Sequence, residues 1–147
     1  MINQAAKEFV EEKNVALVGV SRNPQKFGQG VMRELITRGY QVYPVHPSAE
    51  EVGGVKCYPS LEALKGKVDA VWVGVKPDKG AEVLRSAAGI GVKKVWIQQG
   101  GESGELEKLG DELGLNLVTR KCILMYAEPV GPLHGIHRFL VRLFGQY

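Results

Sequence analysis

Cysteine is scarce in this chain: Cys57 and Cys122 are its two, and they lie far apart. A disulfide scaffold is therefore excluded. Charge of one sign is also lacking, with 19 Lys and Arg against 16 Asp and Glu, a net +3 and a pI near 8.9. The basic residues are scattered among acids, and no basic run interleaved with aromatics appears, so nucleic acid is not the expected partner. No apolar run approaches the length needed to cross a bilayer. The opening residues carry Lys7, Glu8, Glu11 and Glu12 and lack a basic segment followed by an apolar one, so they do not read as a signal peptide. The expectation is a cytoplasmic protein without membrane attachment.

What is present is ordinary for a globular chain: 44% hydrophobic and 24% charged residues over 147 positions. That length predicts one domain spanning residues 1–147, large enough to bury a core. Short β-branched runs alternate with longer amphipathic stretches. Strands are expected at Val15–Val20, Gln41–Val45, Asp69–Val75, Lys93–Gln98 and Leu115–Thr119. Helices are expected over Gln29–Arg38, which Gly39 stops, over a short Leu61–Leu64 segment behind Ser60, from Pro77-Asp78 through Ala88, and after the glycine-rich turn Gln99–Gly104 to Leu113. A closing amphipathic helix is expected from about Leu133 to Phe144. Alternation of this kind predicts an α/β, Rossmann-like fold with a parallel five-stranded sheet and helices on both faces. The expected order is 3-2-1-4-5, with a switch point between the first and fourth strands, where open parallel sheets bind ligands beyond their carboxyl ends.

The first strand ends in Gly19-Val20-Ser21, and Gly28 and Gly30 follow at the entry to the next helix. Glycines in such a place let backbone approach a pyrophosphate, which then sits on helix amides. The strict GxGxxG spacing is missing, because Ser21 replaces the second glycine and Arg22–Phe27 lengthen the loop. Ser21 offers a hydroxyl, and Arg22 and Lys26 offer positive charge. NAD-preferring Rossmann proteins place an acid after the second strand to hold the ribose hydroxyls. Here Val45 is followed by His46-Pro47-Ser48, with no acid until Glu50. The missing carboxylate disfavours NAD and tolerates a phosphorylated ribose, which both coenzyme A and NADP carry. His46-Pro47 also suits a plain turn.

The segments VALVGVSRNPQKFG, YQVYPVHP, VDAVWVGVKP, VKKVWIQQGG and GLNLVTRKC, in this order and spacing, resemble the small CoA-binding proteins related to the nucleotide-binding domain of the succinyl-CoA synthetase α subunit. The resemblance runs from about Phe9 to Cys122 and implies coenzyme A or an acyl-CoA as ligand. It places Ser21, Arg22 and Lys26 at the phosphates, and the turn residues Gly19, Val20 and Gly28 beside them complete the expected cofactor-binding loop. It places His46 and Pro47 near the ribose phosphate, Val75, Lys76 and Pro77 against the nucleotide, and Gln99 and Gly100 towards the pantetheine arm. Cys122, at the end of the last strand, falls on that same side, where its thiol would be within reach of the coenzyme's own.

Three other features carry less. His134 and His137 have a spacing that suits metal ligation, but no third ligand stands near them in sequence, so no metal is expected. Cys122 has no identifiable base to activate it. Trp72 and Trp96 lie within strands and read as core. The related acyl-CoA synthetases need a phosphorylatable histidine on a further domain and a nucleotide-grasping partner, and neither is expected within these 147 residues. The expected function is a module that binds coenzyme A or an acyl-CoA without complete catalytic machinery, alone, as a homo-oligomer or with a partner protein. Two rivals stay open: an NAD(P)-binding redox sensor, and a subunit of an acyl-CoA ligase-like enzyme that borrows catalysis from another chain.

Overall fold

The computed structural model describes residues 4–127. The closing helix expected from about Leu133, with His134 and His137, lies outside the described residues. Helix α1 (Gln4–Glu11) leads into β1 (Asn14–Val18), and α2 (Phe27–Thr37) into β2 (Gln41–Val45). A small hairpin, β3 (Glu51–Val52) and β4 (Val55–Lys56), and a 3-10 turn (Glu62–Leu64) precede β5 (Ala70–Val73). The remaining elements are α3 (Pro77–Gly89), β6 (Lys94–Gln98), α4 (Gly104–Glu112), β7 (Asn116–Lys121) and a second 3-10 turn (Ile123–Met125).

The α/β class and the five-stranded parallel sheet are as expected, but the strand order is β2-β1-β5-β6-β7. Counting only the long strands, this is 2-1-3-4-5 and not 3-2-1-4-5. Two physical features decide it. β5 (AVWV) is buried at all four positions, which suits a strand flanked on both sides and covered on both faces. β2 contains Pro44, which has no N–H to give a ladder and so belongs at an edge. The outer edge of β2 is occupied by the connection to β5: the His46 amide donates to the Tyr58 carbonyl at 2.9 Å, and the Tyr58 amide to the Pro44 carbonyl at 2.8 Å. The switch point therefore falls between β1 and β5, next to each other at the centre of the sheet.

Each face of the sheet buries its own cluster. On one, Trp96 meets Phe9 of α1 edge-on at 5.3 Å and Tyr126 at 5.5 Å, with Leu17, Met32 and Leu35 filling in beside them. On the other, Val71, Val95 and Ile97 pack against Leu84 of α3 and Leu106 of α4. The hairpin and α1 were not anticipated from the sequence. The hairpin's turn is Gly53-Gly54, both at positive φ (57° and 80°), the glycine pair that a two-residue β-turn prefers.

Candidate functional site

The carboxyl ends of β1, β5 and β6 open onto one cleft of about 380 Å³. Its walls are the β1–α2 loop on one side and Gln98 to Gly101 on the other. Glycine creates the space. Gly19 stands at φ +108°, and a Cβ there would run into the Gly74 carbonyl. A Cβ on Gly28 would come within 2.8 Å of the Gly19 carbonyl oxygen. A Cβ on Gly74 would collide with the Trp72 ring, which is buried beneath it and forms part of the floor.

Helix α2 begins at this cleft. Its N-cap is Lys26, whose side chain caps nothing, and no acid sits in the first turn. Helix N-termini carry unpaired amides and partial positive charge, and so favour an anion. Lys26 and Lys76 line the same cleft and add full charges. The loop is held by its own turns: the Ser21 Oγ accepts from the Asn23 amide at 3.0 Å, and Asn23 Oδ1 from the Gln25 amide at 2.9 Å. From below, Gln29, only 2% exposed, donates from Nε2 to the carbonyls of Ser21 (3.0 Å) and Arg22 (3.2 Å). Arg33 donates to Gln29 Oε1 at 3.0 Å and to the Pro24 carbonyl at 3.4 Å, completing the brace.

The far wall is a turn pinned by charge. Glu102 accepts from the Gly100 amide at 2.8 Å, and Arg120 binds Glu107 at 2.6 Å with Glu102 at 4.0 Å. Arg120 stands at φ 63°, at the point where β7 gains one residue against β6. Such a bulge turns the strand end and tightens its twist. Gln98, only 7% exposed, closes the floor: its Oε1 accepts from Trp72 Nε1 at 3.0 Å and from the Ile123 amide at 3.3 Å.

Residues 13–128 match the family described as CoA binding domain. The chain belongs to that family. Among the relatives of this CoA-binding domain is the alpha subunit of the ADP-forming acetate–CoA ligase II of Pyrococcus furiosus, 30% identical over 126 residues. That match takes in 78% of this chain and 28% of the ligase subunit, so the chain spans well under a third of that relative's length. YneT of Bacillus subtilis, an uncharacterized protein, is 29% identical over 118 residues, 80% of this chain and 87% of YneT. A solved structure of a hypothetical protein from Pyrococcus horikoshii superposes with a TM-score of 0.77 at 38% identity, covering 84% of this chain and 87% of that one. Relatives of the ligase alpha-subunit type agree with the resemblance to succinyl-CoA synthetase-like domains read from the sequence.

Within this CoA-binding domain the cleft collects Gly19, Ser21, Lys26, Gly28, Val75, Lys76, Gln99 and Gly100 of the residues singled out from sequence. The other six stand elsewhere. Val20 is buried and offers backbone alone. Arg22 is exposed, and its side chain is not among the cleft walls. His46 is spent on its own turn: Nδ1 accepts from the amides of Ser48 at 3.1 Å and Ala49 at 2.9 Å. Pro47 shares that turn. Pro77 is the first residue of α3 and lines a neighbouring groove between α3 and α4. Cys122 is half-buried behind the Gln98 wall, one residue before the Ile123 amide that binds Gln98. Sequence reasoning missed Phe27, Gln29, Gly74 and Gln98. A glutamine closing the apolar strand KVWIQ was the available signal for Gln98, and Gln29 gave none, because its role depends on the loop carbonyls above it. Among the described residues no helix is long and apolar enough to cross a membrane.

Proposed function

We propose that this chain binds coenzyme A or an acyl-CoA through its nucleotide and phosphates, as a binding module that lacks complete catalytic machinery. The observation that carries the reading is the convergence, in one cleft, of the uncapped α2 N-terminus, the close-approach glycines 19 and 28, and the cations of Lys26 and Lys76. A diphosphate suits that combination, because amides and ammonium groups share its charge while glycine leaves it room. The end of β2 supports a phosphorylated ribose, since its turn is built by His46 and offers no carboxylate to repel one. Family membership supports the same ligand.

Titration calorimetry with coenzyme A and NAD tests this. Coenzyme A is expected to bind more tightly, and Lys26→Ala with Lys76→Ala to weaken it and flatten its salt dependence. NAD binding as tight as coenzyme A, or tighter, overturns the assignment.

A second reading has its own support: relatives include alpha subunits of ADP-forming acetate–CoA ligases, of which this chain matches the 28% that aligns with it in Pyrococcus furiosus. In that reading the domain holds the coenzyme for a partner protein that supplies the rest of the reaction.

A further inference from the structure

We infer that Phe27 is a specificity-determining residue, whose ring packs on the dimethyl carbon beside the diphosphate of coenzyme A; this rests on the coenzyme reading above. Phe27 is the first residue of α2 and one of the walls of the cleft. It is 57% exposed and belongs to neither core cluster. A lone exposed apolar side chain is ordinary on a protein surface; this one borders a ligand cleft, and the helix itself gives it no role. In a hydrophobic staple the residue before the N-cap meets the fourth residue of the helix. Here those two are Gln25 and Gly30, so Phe27 takes no part in one. Gly30 also stands one turn on from Phe27 and has no side chain to lay over the ring. A Cβ built on Gly30 would meet its nearest neighbour, Arg33 Nη2, only at 4.0 Å. Val31, the other residue one turn on, is fully buried and packs into the core.

The neighbours of Phe27 in the chain select the part of the ligand it meets. Lys26 is the N-cap of α2, and Gly28 leaves room for close approach. Phe27 thus stands between two residues that the coenzyme reading assigns to the diphosphate, and all three line the cleft. A group joined directly to that diphosphate is the one within reach of the ring. Coenzyme A has two such groups. One is the phosphorylated ribose, which is covered in oxygens. The other is a methylene bearing a quaternary carbon with two methyl groups, an apolar knob. Only the knob gains by leaving water against an aromatic ring. NAD and NADP carry a second ribose in its place, whose hydroxyls would lose water there without gaining a partner. The end of β2 tolerates any phosphorylated ribose and so does not separate coenzyme A from NADP. Phe27 supplies that distinction.

The test titrates wild type, Phe27→Ala and Phe27→Leu with coenzyme A, with NADP, and with adenosine 3′-phosphate 5′-diphosphate, the nucleotide end without the dimethyl carbon. Alanine suits a helix better than phenylalanine, so Phe27→Ala leaves α2 intact. That variant is expected to lose about tenfold in affinity for coenzyme A. Its affinity for the other two probes should stay as in wild type, and binding of the nucleotide end also demonstrates folding. Phe27→Leu keeps apolar area and should lose much less. Proton NMR adds a readout that a purely structural role would not move. On binding to wild type, the two methyl signals of coenzyme A should shift upfield in the ring current of Phe27, and Phe27→Leu should abolish that shift. Unchanged coenzyme A affinity in Phe27→Ala overturns the inference. So does a loss of the same size for either other probe, which would put Phe27 at the nucleotide or in the fold. A ring-current shift that Phe27→Leu abolishes on the adenine protons, with the methyl signals unmoved, overturns it as well. Failure of the wild type to bind coenzyme A is a separate result, seen without any variant. It overturns the coenzyme reading and this inference with it.

Discussion

Gly19 and Gly39 have similar backbones, at φ +108° and +90°, in very different surroundings. A Cβ on Gly19 would meet the Gly74 carbonyl, whereas one on Gly39 would meet nothing within 4 Å. Positive φ alone costs a non-glycine residue about 1–3 kcal/mol. Gly39→Ala should show a loss of that size in urea unfolding, and Gly19→Ala a larger one, because backbone must also move. Equal losses would mean that β1 and β5 are not held at their close approach. The two cysteines also differ. Burial, and secondarily the charge of Glu51, push the Cys57 thiol above its ordinary pKa. A raised pKa leaves less thiolate at any given pH, and the thiolate is the reactive form. Iodoacetamide at pH 8 should therefore modify half-buried Cys122 before Cys57, read from peptide masses. Faster labelling of Cys57 would contradict its placement.

At the scale of elements, the end of α2 at the cleft is a helix and a loop locked together by one glutamine. Gln29 lies within the first turn of α2, on the face turned under the loop, and it holds two consecutive loop carbonyls. With those carbonyls held from below, the loop's other side is left for the cleft. Gln29→Ala removes both bonds and the anchor for Arg33, at a cost of about 1–3 kcal/mol for groups left unsatisfied. Amides of residues 22–26 should then exchange hydrogen faster, while those of β5 and β6 stay protected. Uniformly faster exchange would instead mark Gln29 as a general core residue. This brace was not legible in the sequence. The glycines and the strand–helix boundary were, since they depend on local backbone conformation, but a side chain that reaches back eight residues depends on the loop's path. The hairpin β3–β4 is the opposite case: Gly53-Gly54 between short β-formers is a turn signal local to the chain.

The described residues build a sheet in which β1 and the central strand β5 lead on to neighbours on opposite sides, and the cleft lies where they part. Among the described residues α1 and α2 cover one face and α3 and α4 the other, which leaves the cleft at the carboxyl edge of the sheet. On the binding role proposed above, the chain incubated alone with acetyl-CoA, ADP and phosphate is expected to form no ATP in a luminescence assay. ATP formation would overturn that proposal.

Composition and periodicity determined the class of this protein: β-branched runs spaced by amphipathic stretches leave parallel βαβ units as the solution that buries both patterns. They also located most of the cleft, because the ends of strands and the starts of helices are local events, and Gly19, Ser21, Lys26 and Gly28 are neighbours in the chain. Tertiary structure alone decided the strand order, although Pro44 carried a hint of it, since strand neighbours are chosen by long-range packing. It also decided the fates of Arg22, His46 and Cys122 on one hand and of Gln29 and Gln98 on the other. A side chain's partners are set by where distant backbone carbonyls and amides come to lie, and the Gln98 oxygen is fixed by Trp72 and Ile123, residues that lie 26 and 25 positions away.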